Sequence, residues 1–501
     1  MTTPSTVSPD QAARGQGLTL WVILAVILVV GCALRVVSAL GDLSIDEIWS
    51  LYILDWYAQS RDDAAILVLA GHDNTHPVNT IYMAVVRGIS GSEPAAVVYR
   101  ALSVVAGSLA VVLAAGLALQ RSGIEAVFAA MLVAMSYPLI HYSGEARGYA
   151  LMLTMAIGAL WALERWLDTE SPSARLWFAL CATVGVLSHL MFVLALAALG
   201  LMALASGRVG LSGRRVPLGQ LVSLFLAPGV VAVGYALYFL MFGIYGNSEP
   251  TDVVESAGAL AGYSIGTGMP FPYALSLVVF VVLAAFAIVV APRSPRLVFD
   301  SAIIFVVPLV LILADLVHYP QPRYFLLSAL FALLAFARLL GWLVNRGHAM
   351  RGLAVLLVVA YIGGQVMLLR SFFNDGRGAY GTAVAQMMAV PDADYPVRVG
   401  GSQDYRLAMM TGYFARKAGH SDDLIYINDD SSMPLTWYVQ EDRHQIGDFP
   451  LAQWVDRAGG RVAYELVWVT RPWGLSGQAW ALYRPTPRAE QMLSGEGEGG
   501  G

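Results

Sequence analysis

Residues 20–40 form an unbroken apolar run whose single charged side chain is Arg35. At about 1.5 Å per helical residue, such a run covers the ~30 Å hydrocarbon core of a bilayer. It is too long for the core of a signal peptide, so it reads as a retained helix. Further apolar runs follow at 101–119, 124–140, 149–163, 176–187, 190–206, 218–242, 273–290, 297–317, 324–344 and 353–369, which makes about eleven spans. Only 13% of the 501 residues are charged, against about 25% in soluble domains. The deficit is local. Residues 371–501 carry 11 Lys and Arg and 16 Asp and Glu, and the much longer stretch before them carries 19 of each sign.

The sequence therefore predicts a polytopic α-helical membrane protein with a small soluble domain after it. Residues 1–19 are an N-terminal segment, 20–370 a transmembrane domain with a large first loop at 41–99, 371–493 an α/β domain, and 494–501 a Gly/Glu-rich disordered tail. In the α/β domain 397–400, 424–428, 462–470 and 478–484 read as strands, and 405–416 and 451–458 as helices. A net charge of −5 without a basic cluster excludes a nucleic-acid partner. Two cysteines, Cys32 and Cys181, each within an apolar run, form no disulfide framework and no zinc spacing.

Short loops on one side of the membrane hold eleven arginines, among them Arg121, Arg165, Arg208, Arg293 and Arg346, whereas loop 41–99 holds eight acids and two arginines. By the positive-inside rule the N-terminus is cytoplasmic and the C-terminal domain extracytoplasmic, in the plasma (inner) membrane. Residues 80–89 are too short to cross and read as a helix along the interface.

This orientation gathers the costly polar residues on the outer face: Asp46 and Glu47 after the first span, His72, Asp73, His76 and Pro77 before the interfacial helix, and His141, Tyr142, Glu145, Arg147 and Tyr149 after the third span. His189 follows the fifth, and His318, Tyr319, Arg323 and Tyr324 precede the tenth. Such groups need partners or a charged ligand at an apolar boundary, and a ligand with an anionic head and a lipid tail meets that need. Taken singly, each has a plainer reading. Asp46 and Glu47 suit a helix N-terminus, Glu145 and Arg147 could pair, the histidines could be packing residues, and Arg35 could snorkel or pair with Asp42 or Asp46.

Taken in order, Arg35, Asp46-Glu47, His76-Pro77, Ser143-Gly144-Glu145-Ala146-Arg147-Gly148-Tyr149-Ala150-Leu151 and Pro322-Arg323-Tyr324 resemble the polyprenyl-phosphate-sugar-dependent glycosyltransferases of the GT-C fold, a group that includes protein O-mannosyltransferases and lipid A aminoarabinose transferases. The resemblance implies a GT-C membrane domain that moves one sugar, with inversion, from a polyprenyl-phosphate donor to a hydroxyl on a glycan, lipid or protein acceptor. It assigns the general base to Asp46, with Glu47 shaping the pocket. By residue type and location, Arg147 and Arg323, with Tyr324, suit the donor phosphate, and His76, His141, Glu145 and Tyr149 suit the substrates. No cofactor is assigned. Asp42, Asp46, Glu47 and Asp73 lack Asp-x-Asp spacing, and His72-Asp73 is a weak metal-ligand pair. Aromatic residues of the C-terminal domain, including Trp437, Trp454, Trp468, Trp473 and Trp480, could stack on sugars or fill its core, and that domain is expected to shape acceptor access. A transporter or lipid flippase is the alternative, but it would place polar residues near the midplane and show internal repeats, and the sequence has neither.

The orientation has a direct test. A C-terminal alkaline phosphatase fusion should be active and a C-terminal green fluorescent protein fusion dark; the reverse pair would overturn the assignment.

Overall fold

The computed structural model describes residues 9–60, 74, 76–90, 93–208, 216–241, 252–268, 271–313, 321–389, 396–442, 449–470, 472–475 and 477–494. His72, Asp73, His318, Tyr319 and the tail beyond Ser494 lie outside them, as do parts of the expected spans at 218–242 and 297–317. The chain divides into two compact units. One comprises Met1–Ala39, Ala70–Val85 and Val97–Leu369; the other comprises Leu40–Leu69, Val86–Ala96 and Arg370–Gly501.

The first unit is helical. Its helices are α1 (Pro9–Ser38), α4 (Ala96–Leu119), α5 (Gly123–Met135), α6 (Tyr137–Ser143), α7 (Tyr149–Thr169), α8 (Pro172–Ser188), α9 (Phe192–Arg208), α10 (Leu218–Met241), α11 (Val253–Ile265) and α12 (Tyr273–Val289). They are followed by α13 (Pro295–Leu313), α14 (Pro322–Val344) and α15 (His348–Asp375), the last running on past the unit. The segments α2 (Ile45–Ser60) and α3 (Pro77–Ser90) come from the first loop. Among the described residues seven helices are long and apolar enough to cross a membrane alone, α5 and α6 form one bent pair, and α8, α9 and α12 are shorter apolar helices. Where they are described, the eleven expected spans thus fall on a helix or on the bent pair, and the chain is a multi-pass membrane protein. The segment expected along the interface is the helix α3. Helix α11 is not among the expected elements. Its glycines and serines dilute the apolar signal, and its start is fixed by Asp252, which accepts from Val254 N and Glu255 N at 2.6 and 3.0 Å.

The bend between α5 and α6 measures 59°, and Pro138 accounts for it. Proline has no N–H to give to the carbonyl four residues back, so Ala134 O loses its helical donor. Arg35 of α1 replaces that donor: Nη1 donates to Ala134 O at 3.2 Å and Nη2 to Val133 O at 3.0 Å. Expected to snorkel or to meet an acid, this arginine is fully buried on helix carbonyls. Helix α15 repairs the other side. Gln365 Oε1 accepts from Tyr137 N at 2.7 Å while its Nε2 donates to Tyr263 O at 2.9 Å, and Tyr361 Oη donates to Leu132 O at 2.6 Å. At the start of α13, Arg296 joins Glu164 of α7 to Asp300, and Arg338 of α14 closes on Asp300 at 2.9 Å. Paired in this way, the charges can remain in the interior of a bundle.

The second unit carries a six-stranded sheet in the order β2-β1-β3-β6-β5-β4. Its strands are β1 (Val397–Gly401), β2 (Leu424–Tyr426), β3 (Trp437–Asp442), β4 (Ala452–Arg457), β5 (Gly460–Thr470) and β6 (Ala479–Pro485). β1 is parallel to β2 and β3, and the remaining pairs are antiparallel. Helices α16 (Tyr380–Met388), α17 (Asp404–Lys417) and α18 (Pro487–Ser494) complete the unit. Residues 451–458, expected as a helix, are instead the strand β4. Arg457 pairs with Gly460 across a two-residue Ala458-Gly459 turn, and Gly460 has φ +110°. Turn chemistry and pairing outweigh the helical spacing of Leu451, Trp454 and Val455. Trp437 and Trp480 are buried in the core, while Trp454 is exposed.

Gln365→Leu should leave Tyr137 N buried without its acceptor and lower stability by about 1–3 kcal/mol. Thermal unfolding in detergent would show this as a reduced midpoint, and an unchanged midpoint would refute the role given to Gln365.

Candidate active site

The turn released by the bend carries the polar residues of the first unit. Residues 137–150 are buried throughout. Two glycines allow the backbone to pass this closely: a Cβ on Gly144 would overlap Ser38, and one on Gly148 would overlap the Ser188 carbonyl oxygen. His141 Nε2 lies 3.2 Å from Glu145 Oε1, one helical turn apart. Arg147 Nη2 donates to Asn74 Oδ1 at 2.7 Å, its backbone carbonyl accepts from Ser103 Oγ at 3.0 Å, and its guanidinium lies 4.9 Å from the Tyr149 ring centroid.

An aromatic cluster surrounds that guanidinium. Tyr149 lies 4.6 Å from His189 and 5.0 Å from Tyr142, and His76 lies 4.8 Å from His189 and 5.5 Å from Tyr149, measured between ring centroids. His76 immediately precedes α3, and His189 lies between α8 and α9, so both stand outside the spanning helices. Burial drives the His76 pKa well below its ordinary value, and His189, Arg147 and Arg323 push it in the same direction. Burial also lowers His189 to about 3, again with help from Arg147 and Arg323. Both imidazoles are therefore neutral at physiological pH. His189 Nδ1 accepts from Met191 N at 3.1 Å, which in a neutral ring leaves the proton on Nε2 and makes that atom a donor. His76 bonds the backbone of Ser188, and its buried Nε2 has no hydrogen-bond partner among the described residues.

Arg323 enters from the far end of the sequence, in the 3₁₀ turn Pro322–Phe325 that opens α14. It is half-buried and lies 5.7 Å from the ring centroid of its neighbour Tyr324. A helix N-terminus repels a cation, so the position gains nothing from the helix itself. Its field nevertheless reaches the same two imidazoles as that of Arg147. The structure thus brings together His76, His141, Glu145, Arg147, Tyr149 and Arg323 in the first unit, with Tyr324 beside Arg323. Sequence reading does not single out Asn74, which holds Arg147, and treats His189 as packing. The signal for Asn74 is its place two residues before His76-Pro77.

Asp46 and Glu47 belong to the second unit. Glu47 is buried and accepts from Ser44 N at 2.7 Å, while Ser44 O accepts from Ile48 N at 3.0 Å. That is a capping arrangement in which the acid reaches back over the first turn of α2. Asp46 is half-buried in the same turn. Among the described residues, no three His, Cys, Asp or Glu side chains gather as metal ligands.

The fold has solved counterparts. ArnT from Cupriavidus metallidurans bound to undecaprenyl phosphate superposes with a TM-score of 0.51 at 12% identity, over 92% of this chain and 97% of that one. Its apo form gives 0.52 at 13%, over 90% and 98%. The Archaeoglobus fulgidus oligosaccharyltransferase in complex with Zn and sulfate gives 0.50 at 12%, over 84% of this chain and 68% of that one. These likenesses define the class of architecture: the chain has the GT-C fold. No protein-family model and no curated protein matches the sequence.

Neutral buried imidazoles make stability depend on pH. Their folded pKa values lie below 6.5, so the unfolded chain takes up protons first. Stability is complete above about pH 6.5 and falls by ~1.4 kcal/mol per pH unit for each group as pH drops through that value, and the His189 contribution levels off near pH 3. Between pH 7 and 5 the thermal midpoint of His189→Gln should decline less steeply than that of the native protein, and parallel declines would contradict this assignment.

Proposed function

We propose that the protein is an integral-membrane glycosyltransferase that moves one sugar from a polyprenyl-phosphate donor to an acceptor hydroxyl on the extracytoplasmic face. The observation that carries this reading is the convergence of Arg147 and Arg323, far apart in the sequence, on one pair of neutral imidazoles. A buried site with two guanidiniums beside donor groups suits a phosphate whose charge grows as the sugar departs. The GT-C fold supports the same reaction class, and the ArnT counterpart is bound to undecaprenyl phosphate.

In the proposed step the acceptor oxygen attacks the anomeric carbon from the face opposite the phosphate. The acceptor proton passes to the Asp46 carboxylate as the bond from the anomeric carbon to the phosphate oxygen breaks, and its electron pair leaves on polyprenyl phosphate. The single displacement inverts the anomeric centre. Glu47, occupied in capping α2, fixes the turn that carries Asp46. Arg147 and Arg323, with Tyr324, hold the phosphate, and His189 Nε2 donates to it. His76 Nε2, His141, Glu145 and Tyr149 take the sugar and acceptor hydroxyls. A transporter is less well supported, because the buried polar set gathers on one turn and its neighbours and, among the described residues, no pair of broken helices repeats it.

Purified protein in nanodiscs, given a panel of radiolabelled polyprenyl-phosphate sugars and cell-envelope acceptors, should transfer one of them. Asp46→Asn should lower kcat by about 10²–10⁴-fold with little change in thermal midpoint, and full activity would remove Asp46 as the base. Retained binding of polyprenyl phosphate by the Arg147→Ala, Arg323→Ala double variant would remove the arginines as its holders.

A further inference from the structure

The second unit contains a cavity of about 230 Å³ that none of the roles above uses. Three stretches distant in sequence build it: α2, residues 87 and 93 on either side of the end of α3, and α17. Ile48, Leu51 and Met409 give it apolar surface, and Tyr52, 45% exposed, adds an accessible ring. Asp55 and Glu93 supply carboxylates. Arg87 bridges them, with Nη2 at 2.5 Å from Asp55 and Nε at 3.8 Å from Glu93, and Tyr413 Oη donates to Glu93 at 3.3 Å. Arg416 and Lys417 stand exposed on the lining at the end of α17.

We infer that this cavity is a subsite for one sugar ring of a saccharide acceptor. Fixed carboxylates and a guanidinium accept from and donate to ring hydroxyls, while apolar side chains and a tyrosine ring cover the CH face. Between the apolar side chains Arg87 offsets much of the charge of Asp55 and Glu93, which suits a neutral polyol there, while Arg416 and Lys417 on the exposed lining bring the total to three cations against two carboxylates. The volume lies below the ~300–1,000 Å³ of drug-sized ligand sites, which matches one ring and not a chain.

The position of the cavity on α2 adds a length requirement. At roughly 100° per helical residue, Ile48, Leu51, Tyr52 and Asp55 make one stripe about 100° wide, and Asp46 lies about 160° round the helix from Ile48. A ring held in the cavity therefore does not itself present its hydroxyl to Asp46, and the acceptor extends beyond that ring. Only the word acceptor rests on the transferase reading; the saccharide site itself does not.

Saturation-transfer difference NMR on the full-length protein in nanodiscs, with methyl glycosides of mannose, galactose, glucose and arabinose, tests the site without any donor. At least one glycoside should bind saturably. Tyr52→Ala and Glu93→Gln should each weaken it about tenfold, and Tyr52→Phe should restore it, with thermal midpoints showing that the variants are folded. No bound glycoside, equal binding to native protein and Tyr52→Ala, or occupation by inorganic phosphate in place of sugars would overturn the subsite. In the transfer assay Tyr52→Ala should raise acceptor KM about tenfold and leave kcat nearly unchanged, and an unchanged KM would overturn the acceptor role. If glycosides bind as described but no lipid-linked sugar is transferred, the subsite stands and the transferase reading falls.

Discussion

A proline placed where a membrane helix needs a backbone donor sets the terms for the first unit. Pro138 leaves the carbonyl of Ala134 without its helical partner, and in hydrocarbon an unsatisfied backbone group costs several kcal/mol. The chain satisfies the break from two sides. Arg35 covers the freed carbonyls of Ala134 and Val133, and Gln365 and Tyr361 bond Tyr137 N and Leu132 O. One charged side chain in an otherwise apolar first span is thereby accounted for. The repair also ties α1 and α15, the first and last helices of the membrane domain in chain order, to the same point. The 59° bend then turns the chain through His141 to Tyr149 and packs that turn against Ser38 and Ser188 with no room for a β-carbon at Gly144 or Gly148.

The electrostatics of that turn follow from burial. Two guanidiniums and two imidazoles in close quarters would repel one another if all were charged, and the imidazoles give up their protons first because their ordinary pKa is the lowest of the set. The outcome is a cluster that combines permanent positive charge with neutral hydrogen-bonding rings. Charge from Arg147 and Arg323 is thus kept at the site while His189 remains a directional donor.

Much of this is legible in the residues. The expected spans, where described, lie on helices because a long apolar run has few other folded options, and the sheet domain is visible as a change in charge density after Arg370. The resemblance carried by the Glu145-Ala-Arg147 and Pro322-Arg323 strings identifies residues that the fold does bring together. What escapes depends on distance in sequence. Nothing near Arg35 indicates that its partners are the carbonyls of Val133 and Ala134, although Pro138 within an apolar run signals that some donor is needed. Asn74 and His189 gain meaning only beside Arg147. The strand at 452–457 reads as a helix because Leu451, Trp454 and Val455 fit helical spacing locally, and only pairing with β5 settles the matter. Sequence position assigns the first-loop acids to the membrane domain, whereas α2 packs with the fold formed by the chain beyond Leu369.

The packing of α2 on α17 bears on how the protein is made. Helix α2 leaves the ribosome early, but α17 lies beyond the last span. Every later span must be inserted between these two events. Until then the buried side of α2, with Ile48 and Leu51 on it, lacks its α17 partner. The second unit therefore closes last, and chains interrupted during insertion carry the transmembrane helices without a finished cavity. The cavity on α2 is thus completed only after the last span has been made.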